Sequence, residues 1–432
     1  MSIAETAAAA KAASIQLAAV KSDVKNKALA EIAKALKEKS AEIVSANKED
    51  LAAAEENNLT APLLKRLKFD EGKIADVCAG IESLIKLDDP VGKTLAATEL
   101  DKGLELYKVS CPIGVVGIIF ESRPDALVQI STLCLKSGNA VLLKGGSEAA
   151  RTNRILADVI AEASVSAGLA EGWIQLLETR EDVAEMLALD ELIDLIVPRG
   201  SNEFVRYIME NTNIAVLGHA EGICHVYVEA QADVDMAVRI AVDSKCQYVA
   251  TCNAVETLLV DEKIASAYLP KVKAALEEKG VEIRGCEKTR AIIDVSAATE
   301  KDWETEYLDL ILSVRVVDGI NEAVGHINKY GSGHTDAIVT SDRAKAGRFL
   351  EMVDSGNVFW NASTRFSDGY RYGLGAEVGI STNKIHARGP VGLDGLLIYK
   401  WKLVGSGQVV ADYSGPDGRK FGHKRTGKDS PV

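Results

Sequence analysis

The sequence lacks the long apolar segments that cross membranes. Nowhere in its 432 residues does an apolar run approach the 18 or more residues of a membrane-spanning helix. The first 20 residues also lack the basic and apolar regions of a secretory signal peptide. Positive charge is in deficit, since the formal net charge is −13. A chain with this charge repels phosphate groups on average. We therefore expect a cytoplasmic protein with neither nucleic acid nor a membrane as its partner.

Paired cysteines are missing as well. The seven cysteines are an odd number, and no two of them have the C-x-x-C spacing of zinc or redox motifs. This pattern indicates free thiols in a reducing compartment and predicts neither a disulfide framework nor a metal site. Cys78 and Cys134 occupy apolar positions of helical patterns, which is typical of core residues. Cys252 lies between a helix-like and a strand-like segment, where a thiol can be partly exposed and reactive. The residues alone do not decide whether it reacts.

Two common nucleotide-binding motifs are absent. The chain has neither the G-x-G-x-x-G fingerprint after a strand nor a Walker A loop. Two segments still suit an anion at the N-terminus of a helix, because glycines there let backbone N–H groups approach a ligand. One is Lys144 followed by "GGSEAA", and the other contains Gly200 and Ser201. A glycine-bearing turn with an N-cap serine is the more common explanation of such a segment, and the anion site remains the alternative.

What the sequence does contain is alternation of helix and strand patterns. Apolar residues make up 47% of the chain and charged residues 26%, which is typical of a globular protein with a sizeable core. Residues 1–90 have helical periodicity, and from about residue 103 apolar strands alternate with helices. A second alternating block begins near residue 233. Short apolar strands between helices predict parallel sheets that are buried on both faces, and hence an α/β protein of two domains.

Five separated motifs carry a resemblance to a known family. The motifs are "ESRPDALVQI", "CNAVETLL", "AVGHINKYGSGHTDAI", "STRFSDGYRYGLGAEVGIST" and "HARGPVGLDGL". They resemble the gamma-glutamyl phosphate reductases of the aldehyde dehydrogenase superfamily, and the resemblance extends to about residue 410. The resemblance implies reduction of L-glutamyl 5-phosphate to the 5-semialdehyde with NADPH, the second step of proline synthesis from glutamate.

The resemblance implies an aldehyde dehydrogenase-like fold with a Rossmann-like cofactor domain, an α/β catalytic domain and a small oligomerisation arm. We expect the NADP-binding domain in residues 1–230, of which residues 103–113 contribute to the arm. The catalytic domain is expected in 231–395. The arm strand and an irregular polar tail are expected in 396–432. The arm implies a homodimer or homotetramer. The chain has no room for the kinase domain of fused relatives, so a separate glutamate 5-kinase is its expected functional partner.

Four positions match the family's cofactor-binding residues. Lys144 corresponds to the lysine at the adenosine ribose, and Ser201 to the serine near the pyrophosphate. Glu306 corresponds to the glutamate that holds the nicotinamide ribose, although Leu308 replaces the phenylalanine usual two residues later. Ser147 stands where NAD-preferring relatives carry a glutamate that would repel a 2′-phosphate. The resemblance therefore implies NADPH, with Lys144 as the cation that would pair with that phosphate.

The catalytic residue implied by the resemblance is Cys252. Its thiolate would attack the acyl phosphate, expel phosphate and form a thioester that hydride then reduces. Hydrolytic relatives carry a water-activating glutamate that here aligns with His219, while Glu221 is out of register. Without that base, the thioester would be reduced and not hydrolysed. His219 is either structural or an aid to the thiol or the phosphate.

The charged substrate requires cations. Arg123 and Arg365 are the candidates to bind the phosphate or the α-carboxylate of L-glutamyl 5-phosphate by bidentate hydrogen bonds. Ser122 replaces the family's usual oxyanion-hole asparagine, and His334 receives no role. Two other interpretations remain: a CoA-acylating aldehyde dehydrogenase, which also lacks the water-activating base, and a non-catalytic homologue.

Overall fold

The computed structural model describes residues 2–121, 123–179, 181–219, 221–374 and 377–431. Ser122, one of the predicted substrate-binding residues, lies outside these ranges. The helices are α1 (Ile3–Leu17), α2 (Ser22–Glu38), α3 (Ser40–Glu56), α4 (Ala61–Leu67), α5 (Glu71–Lys86), α6 (Pro124–Ser137), α7 (Ala150–Ser166), α8 (Glu181–Leu187), α9 (Asn202–Glu210), α10 (Val234–Cys246), α11 (Glu262–Glu277), α12 (Glu287–Arg290), α13 (Ile320–Tyr330) and α14 (Arg343–Met352). The strands are β1 (Thr94–Asp101), β2 (Leu104–Pro112), β3 (Val115–Phe120), β4 (Ala140–Lys144), β5 (Ile174–Leu177), β6 (Leu195–Arg199), β7 (Cys224–Val228), β8 (Val255–Asp261), β9 (Glu282–Gly285), β10 (Ser296–Ala297), β11 (Ile311–Val317), β12 (Thr335–Val339), β13 (Asn357–Trp360), β14 (Gly379–Ser381), β15 (Gly389–Val391), β16 (Leu397–Val404) and β17 (Lys424–Thr426).

The first sheet is four-stranded and parallel, in the order β5-β4-β3-β6. Every residue of β3 and β4 is buried. Helices α1, α6 and α7 pack on this sheet, which explains why its strands are apolar throughout and do not alternate with polar residues. The α/β class predicted from the sequence is confirmed.

Helix α6 illustrates how the sequence sets its own ends. Pro124 begins the helix, where its missing N–H costs no hydrogen bond. Gly138 ends it with a left-handed φ of 77°, a conformation that glycine adopts at little cost. All residues between them except Gln129 are buried, so α6 is an interior helix. Because α6 begins directly after Arg123, this buried helix fixes the backbone position from which the Arg123 side chain extends.

The second sheet has seven strands in the order β10-β9-β11-β8-β7-β12-β13, all parallel. The predicted domain boundary at residue 230 is wrong, because β7 pairs with β8 and β12 in this sheet. The end of the predicted catalytic domain is displaced too. Val378, Val391, Leu393 and Leu396 pack into the core around the first sheet. Both boundaries are set by contacts between segments that are distant in sequence. The periodicity of helices and strands carries no information about such contacts.

A third, antiparallel sheet has the order β16-β2-β1-β17, and we call it the arm sheet. Strand β16 pairs with β2 from Leu397 opposite Pro112 to Val404 opposite Glu105. Most of residues 103–113, which the resemblance assigned to the arm, thus lie in one sheet with the C-terminal segment. The polar tail is not wholly irregular as predicted, because β17 pairs with β1.

The carboxyl edge of the first parallel sheet and the amino edge of the second meet at one cavity. Arg199 ends β6 at the carboxyl edge of the first sheet, and Cys252 precedes β8 at the amino edge of the second. Both residues line one cavity of about 220 Å³. Among the described residues, none of the helices is long and apolar enough to cross a membrane.

Candidate active site

The loop that carries Cys252 joins α10 to β8 and is braced by one arginine. Arg365 donates from Nε to Oε1 of Gln247 at 2.9 Å and from Nη1 to Oγ1 of Thr251 at 2.8 Å. Arg365 is buried. Two of its guanidinium nitrogens therefore hold this segment, residues 247–254, which we call the nucleophile loop after the candidate nucleophile Cys252. These contacts come in addition to the substrate role expected of Arg365 from the sequence.

His334, which the sequence left without a role, contacts the cysteine. Its Nε2 lies 3.1 Å from Sγ of Cys252, and its Nδ1 lies 2.8 Å from Oγ1 of Thr335. Burial holds the pKa of His334 well below its ordinary value, so the imidazole is neutral at pH 7. With the ring proton on Nδ1, Nε2 presents its lone pair to the thiol. We assign this tautomer because Cys252 itself carries a proton to donate.

Cys252 is a thiol and not a thiolate in this state. Burial and, to a lesser extent, the nearby carboxyl groups of Glu306 and Glu377 together raise its pKa to about 12, against smaller opposing effects of a backbone hydrogen bond and of Arg365. A thiolate forms only when a base takes the proton or when positive charge arrives with the ligands. The neighbouring imidazole is placed to act as that base.

His219 completes a compact group around the sulfur. Its Nδ1 donates to the carbonyl oxygen of Ile380 at 2.9 Å, which leaves Nε2 unprotonated. The His219 ring meets the His334 ring edge-on, with 4.9 Å between centroids. One nitrogen of each imidazole and the Cys252 sulfur lie within 4.8 Å of one another. Glu221, in contrast, pairs with Arg206 at 2.6 Å on the surface.

Glu306 lies next to the nucleophile loop. Its Oε2 accepts a hydrogen bond from Nδ2 of Asn202 at 2.8 Å, and the backbone N–H of Gly222 also lowers the pKa of its carboxyl group. Burial nevertheless leaves that pKa above its ordinary value. A Cβ at Gly222 would lie 2.1 Å from the carbonyl oxygen of Cys252, so only glycine allows this approach. Leu308, the departure from the family pattern, has a left-handed φ of 54° and is exposed.

A cavity of about 770 Å³ opens at the carboxyl edge of the first sheet. Lys144 at the end of β4 and Ser147 in the following turn both line it. This size suits the adenosine half of a dinucleotide. Glu148 and Glu178 also line the cavity, so its charge is mixed.

A second cavity, of about 370 Å³, contains three arginines. Arg66, Arg123 and Arg199 line it together with Ser201, the N-cap residue of α9. Arg123 pairs with Asp125 at 3.2 Å. Arg199 also lines the 220 Å³ cavity that contains Cys252 and His219. The predicted residues at Ser201, Arg123, His219 and Cys252 are thus brought to two cavities that share Arg199.

Known proteins resemble this chain over its whole length. The family model described as "Aldehyde dehydrogenase family" matches residues 1–290. A gamma-glutamyl phosphate reductase of Pelotomaculum thermopropionicum is 66% identical over 432 residues, 100% of this chain and 99% of that protein. One of Acetivibrio thermocellus is 65% identical, and the alignment covers 100% of both chains. The crystal structure of the gamma-glutamyl phosphate reductase of Thermotoga maritima has a TM-score of 0.92 at 41% identity, covering 94% of this chain and 99% of that one. The chain belongs to the gamma-glutamyl phosphate reductase family of aldehyde dehydrogenases.

Proposed function

We propose that this chain reduces L-glutamyl 5-phosphate to L-glutamate 5-semialdehyde and releases phosphate, as the names of its relatives imply. The observation that carries the proposal is the 3.1 Å contact between the Cys252 sulfur and a neutral imidazole. Cys252 lines a cavity that shares Arg199 with the cavity of three arginines, and Lys144 lines a separate cavity. A nucleophile, a base and cations are the groups that acyl transfer from an acyl phosphate requires.

In the first half of the reaction, the Cys252 sulfur attacks the acyl carbon while its proton passes to Nε2 of His334. The carbon–oxygen bond to phosphate then breaks, the electron pair leaves with the phosphate, and a thioester remains on Cys252. A neutral imidazole can accept this proton because burial keeps His334 unprotonated beforehand. The backbone N–H of Cys252 is the candidate donor to the oxyanion, and one such donor is worth about 3–4 kcal/mol.

In the second half, bound NADPH supplies the hydride that reduces the thioester carbonyl. The resulting tetrahedral adduct collapses to the aldehyde, the carbon–sulfur bond breaks, and the sulfur recovers a proton from His334. His219 occupies the position of the water-activating glutamate of hydrolytic relatives, and its Nδ1 is engaged with a backbone carbonyl. We propose that water attacks this thioester slowly and that hydride and phosphate are its effective partners.

The preferred dinucleotide is proposed to be NADPH. Lys144 and Ser147 line the 770 Å³ cavity together, and a serine there presents no charge against a 2′-phosphate. Glu148 on the same cavity wall favours the opposite choice. We propose that Lys144 outweighs it, because a lysine pairs directly with a phosphate group.

Location and partners complete the proposal. The seven cysteines are free, which suits the reducing cytosol. The proposed substrate is an acyl phosphate, which water destroys readily, so we propose functional pairing with a separate glutamate 5-kinase. We further propose a homo-oligomer formed through the arm sheet.

One assay in the reverse direction tests the reaction. NADP⁺ reduction is followed with glutamate 5-semialdehyde (in equilibrium with its cyclic form) while the phosphate concentration is varied. We expect strict dependence on phosphate and a higher kcat/KM with NADP⁺ than with NAD⁺. Cys252→Ala should lower kcat by at least about 10⁴-fold, and Cys246→Ala, a matched control at the end of α10, should not. Turnover that is independent of phosphate would disprove the proposed reaction, and an active Cys252→Ala variant would disprove the nucleophile.

A further inference from the structure

Arg199 is a cation that neither the motifs nor the resemblance assigns. It ends β6 and is only partly accessible. Its side chain lines both the 370 Å³ cavity that contains three arginines, which we call the arginine cavity, and the 220 Å³ cavity that contains Cys252, which we call the Cys252 cavity. The guanidinium makes neither a hydrogen bond nor an ion pair with the part of the chain that the structure describes. Arg123 and Arg365, in contrast, contact Asp125 and the nucleophile loop respectively.

An arginine in this position is costly without a counter-ion. Burial lowers the pKa of Arg199, and the neighbouring Arg123 guanidinium lowers it further. Glu377 and Asp125 oppose that effect from a distance, without a direct contact to Arg199. Desolvating an unpaired charge is strongly unfavourable, so a group placed in this way is expected to meet an anion in the working enzyme.

The surrounding charge favours a phosphate. Three guanidinium groups line the arginine cavity, and the opposing acids are Glu121 on its wall and Asp125, which is paired with Arg123. Burial and the nearby Glu148 carboxylate raise the pKa of Glu121, so this group holds a negative charge less readily than an exposed glutamate. Guanidinium groups bind phosphate oxygens with two parallel hydrogen bonds.

We propose that Arg199 binds the phosphate group that leaves Cys252-bound substrate in one direction and attacks the thioester in the other. The inference rests on the proposed function. Of the three arginines on the arginine cavity, Arg199 is the one that also lines the Cys252 cavity, where the carbon–oxygen bond is made or broken. In the reductive direction, the carbon–oxygen bond breaks as the thioester forms. Its electron pair passes to the phosphate oxygen, and Arg199 offsets the charge of that oxygen. In reverse, a phosphate oxygen attacks the acyl carbon and the carbon–sulfur bond breaks.

The same cation could serve the pyrophosphate of the dinucleotide, because Ser201 lines the arginine cavity too. The two sources of phosphate are separated kinetically. In the reverse assay, phosphate is varied at saturating NADP⁺ and semialdehyde, and then NADP⁺ is varied at saturating phosphate. The variants are Arg199→Gln and Arg199→Lys, and the control is Arg206→Gln, an exposed arginine paired with Glu221.

For Arg199→Gln we expect the KM for phosphate to rise about 10- to 100-fold while the KM for NADP⁺ changes less than about twofold. Arg199→Lys should give an intermediate KM, since it keeps the charge and loses the bidentate geometry. A rise in the KM for NADP⁺ with an unchanged KM for phosphate would assign Arg199 to the dinucleotide and overturn the proposal. If the glutamine variant does not fold, the same comparison on the lysine variant decides.

A measurement without phosphate separates this inference from the reaction itself. Wild-type enzyme with NADP⁺ and semialdehyde should form about one equivalent of NADPH per Cys252 and then stop at the thioester. Arg199→Gln should retain that burst, and added phosphate should discharge its thioester at least about tenfold more slowly than in wild type. Loss of the burst in Arg199→Gln and Arg199→Lys would give Arg199 a structural role and overturn the proposal. Wild-type turnover without phosphate would instead reject the proposed function.

Discussion

At the scale of single residues, the proposed mechanism depends on two groups that burial keeps neutral. The pKa of the Cys252 thiol is raised to about 12, and that of the His334 imidazole is lowered far from its ordinary value. Each is an unreactive partner alone, because a thiol is a poor nucleophile and a low-pKa imidazole is a weak base. At 3.1 Å the pair can pass one proton at the moment the carbon–sulfur bond forms.

Replacing His334 tests this pair. We expect His334→Gln to lower kcat about 10²- to 10⁴-fold, because an amide can accept the S–H hydrogen bond but cannot hold the proton. His386→Ala, which changes an exposed histidine outside the site, should leave kcat within about twofold as the control. Thermal unfolding of all variants establishes that they are folded. Full activity of His334→Gln would remove the histidine from the mechanism.

The pH dependence follows from the same shifts. Because the pKa of His334 is lowered, the imidazole stays an unprotonated base as the pH falls from 7.5 to 6, so kcat/KM should have no inflection near pH 6.5 that belongs to this residue. Alkylation of Cys252 in the free enzyme should continue to accelerate about tenfold per pH unit through pH 10, because its thiol pKa is about 12. A plateau in the alkylation rate near pH 8 would contradict the burial of the sulfur.

At the scale of elements, a buried ion pair holds the two ends of the nucleophile loop. Nζ of Lys245 in α10 lies 2.6 Å from Oε2 of Glu256 in β8, and both side chains are fully buried. The pair joins the helix before the loop to the strand after it, on either side of Cys252. Burial raises the pKa of Glu256 to about 7, although Lys245 opposes the shift. Such a pair adds little net stability, but loss of one partner leaves an uncompensated buried charge.

Single and double substitutions measure the pair. We expect Lys245→Met to reduce the free energy of unfolding by about 3–5 kcal/mol, because Glu256 is left buried without its partner. Lys245→Met with Glu256→Leu should recover most of that loss, and urea unfolding measures both. The exposed Lys271–Asp235 pair between α11 and α10 provides the control, and Lys271→Met should cause little change. A double variant as unstable as the single one would mean that packing, and not charge, is responsible.

The elements also explain how far the sequence could lead. The alternation of apolar strands and helices predicted the α/β class, and the motif around Cys252 identified the candidate nucleophile. The sequence left His334 without a role because it lies 82 positions from Cys252 along the chain. The two residues meet because β7 lies between β8 and β12, so the amino ends of these strands are neighbours. The order of strands in a parallel sheet depends on long-range pairing, which the periodicity of the sequence does not encode. For the same reason, the sequence placed the domain boundary at residue 230, after β7, although β7 belongs to the second sheet.

At the scale of the whole molecule, the site is assembled from two separate cores. Lys144, Arg199 and Ser201 lie at the carboxyl edge of the first sheet, where open α/β sheets usually bind ligands. Cys252 and His334 lie at the amino edge of the second sheet. Neither core contains a complete set of groups for the reaction. The relative position of the two sheets is therefore itself a requirement for activity.

The arm sheet leaves an apolar surface that a second copy of the chain could cover. Tyr399, Trp401 and Leu403 alternate along β16 and so share one face, with exposed fractions of 44%, 57% and 59%. Strand β16 is also an edge strand of the arm sheet. An exposed apolar face on such an edge is typical of an association surface. This surface is the basis for the proposed homo-oligomer.

Charge placed on that face should separate the copies. We expect Trp401→Glu with Leu403→Glu to shift the protein from an oligomer to a monomer at micromolar concentration, because association would bury two unpaired carboxylates. Sedimentation equilibrium measures the mass, and far-ultraviolet circular dichroism establishes that the chain is folded. Ile15→Glu is the matched control, since Ile15 is 70% exposed on α1, away from the arm sheet. If the double variant keeps the mass of the wild-type oligomer, the interface lies elsewhere. If the wild type is itself a monomer, no second copy covers the face of β16.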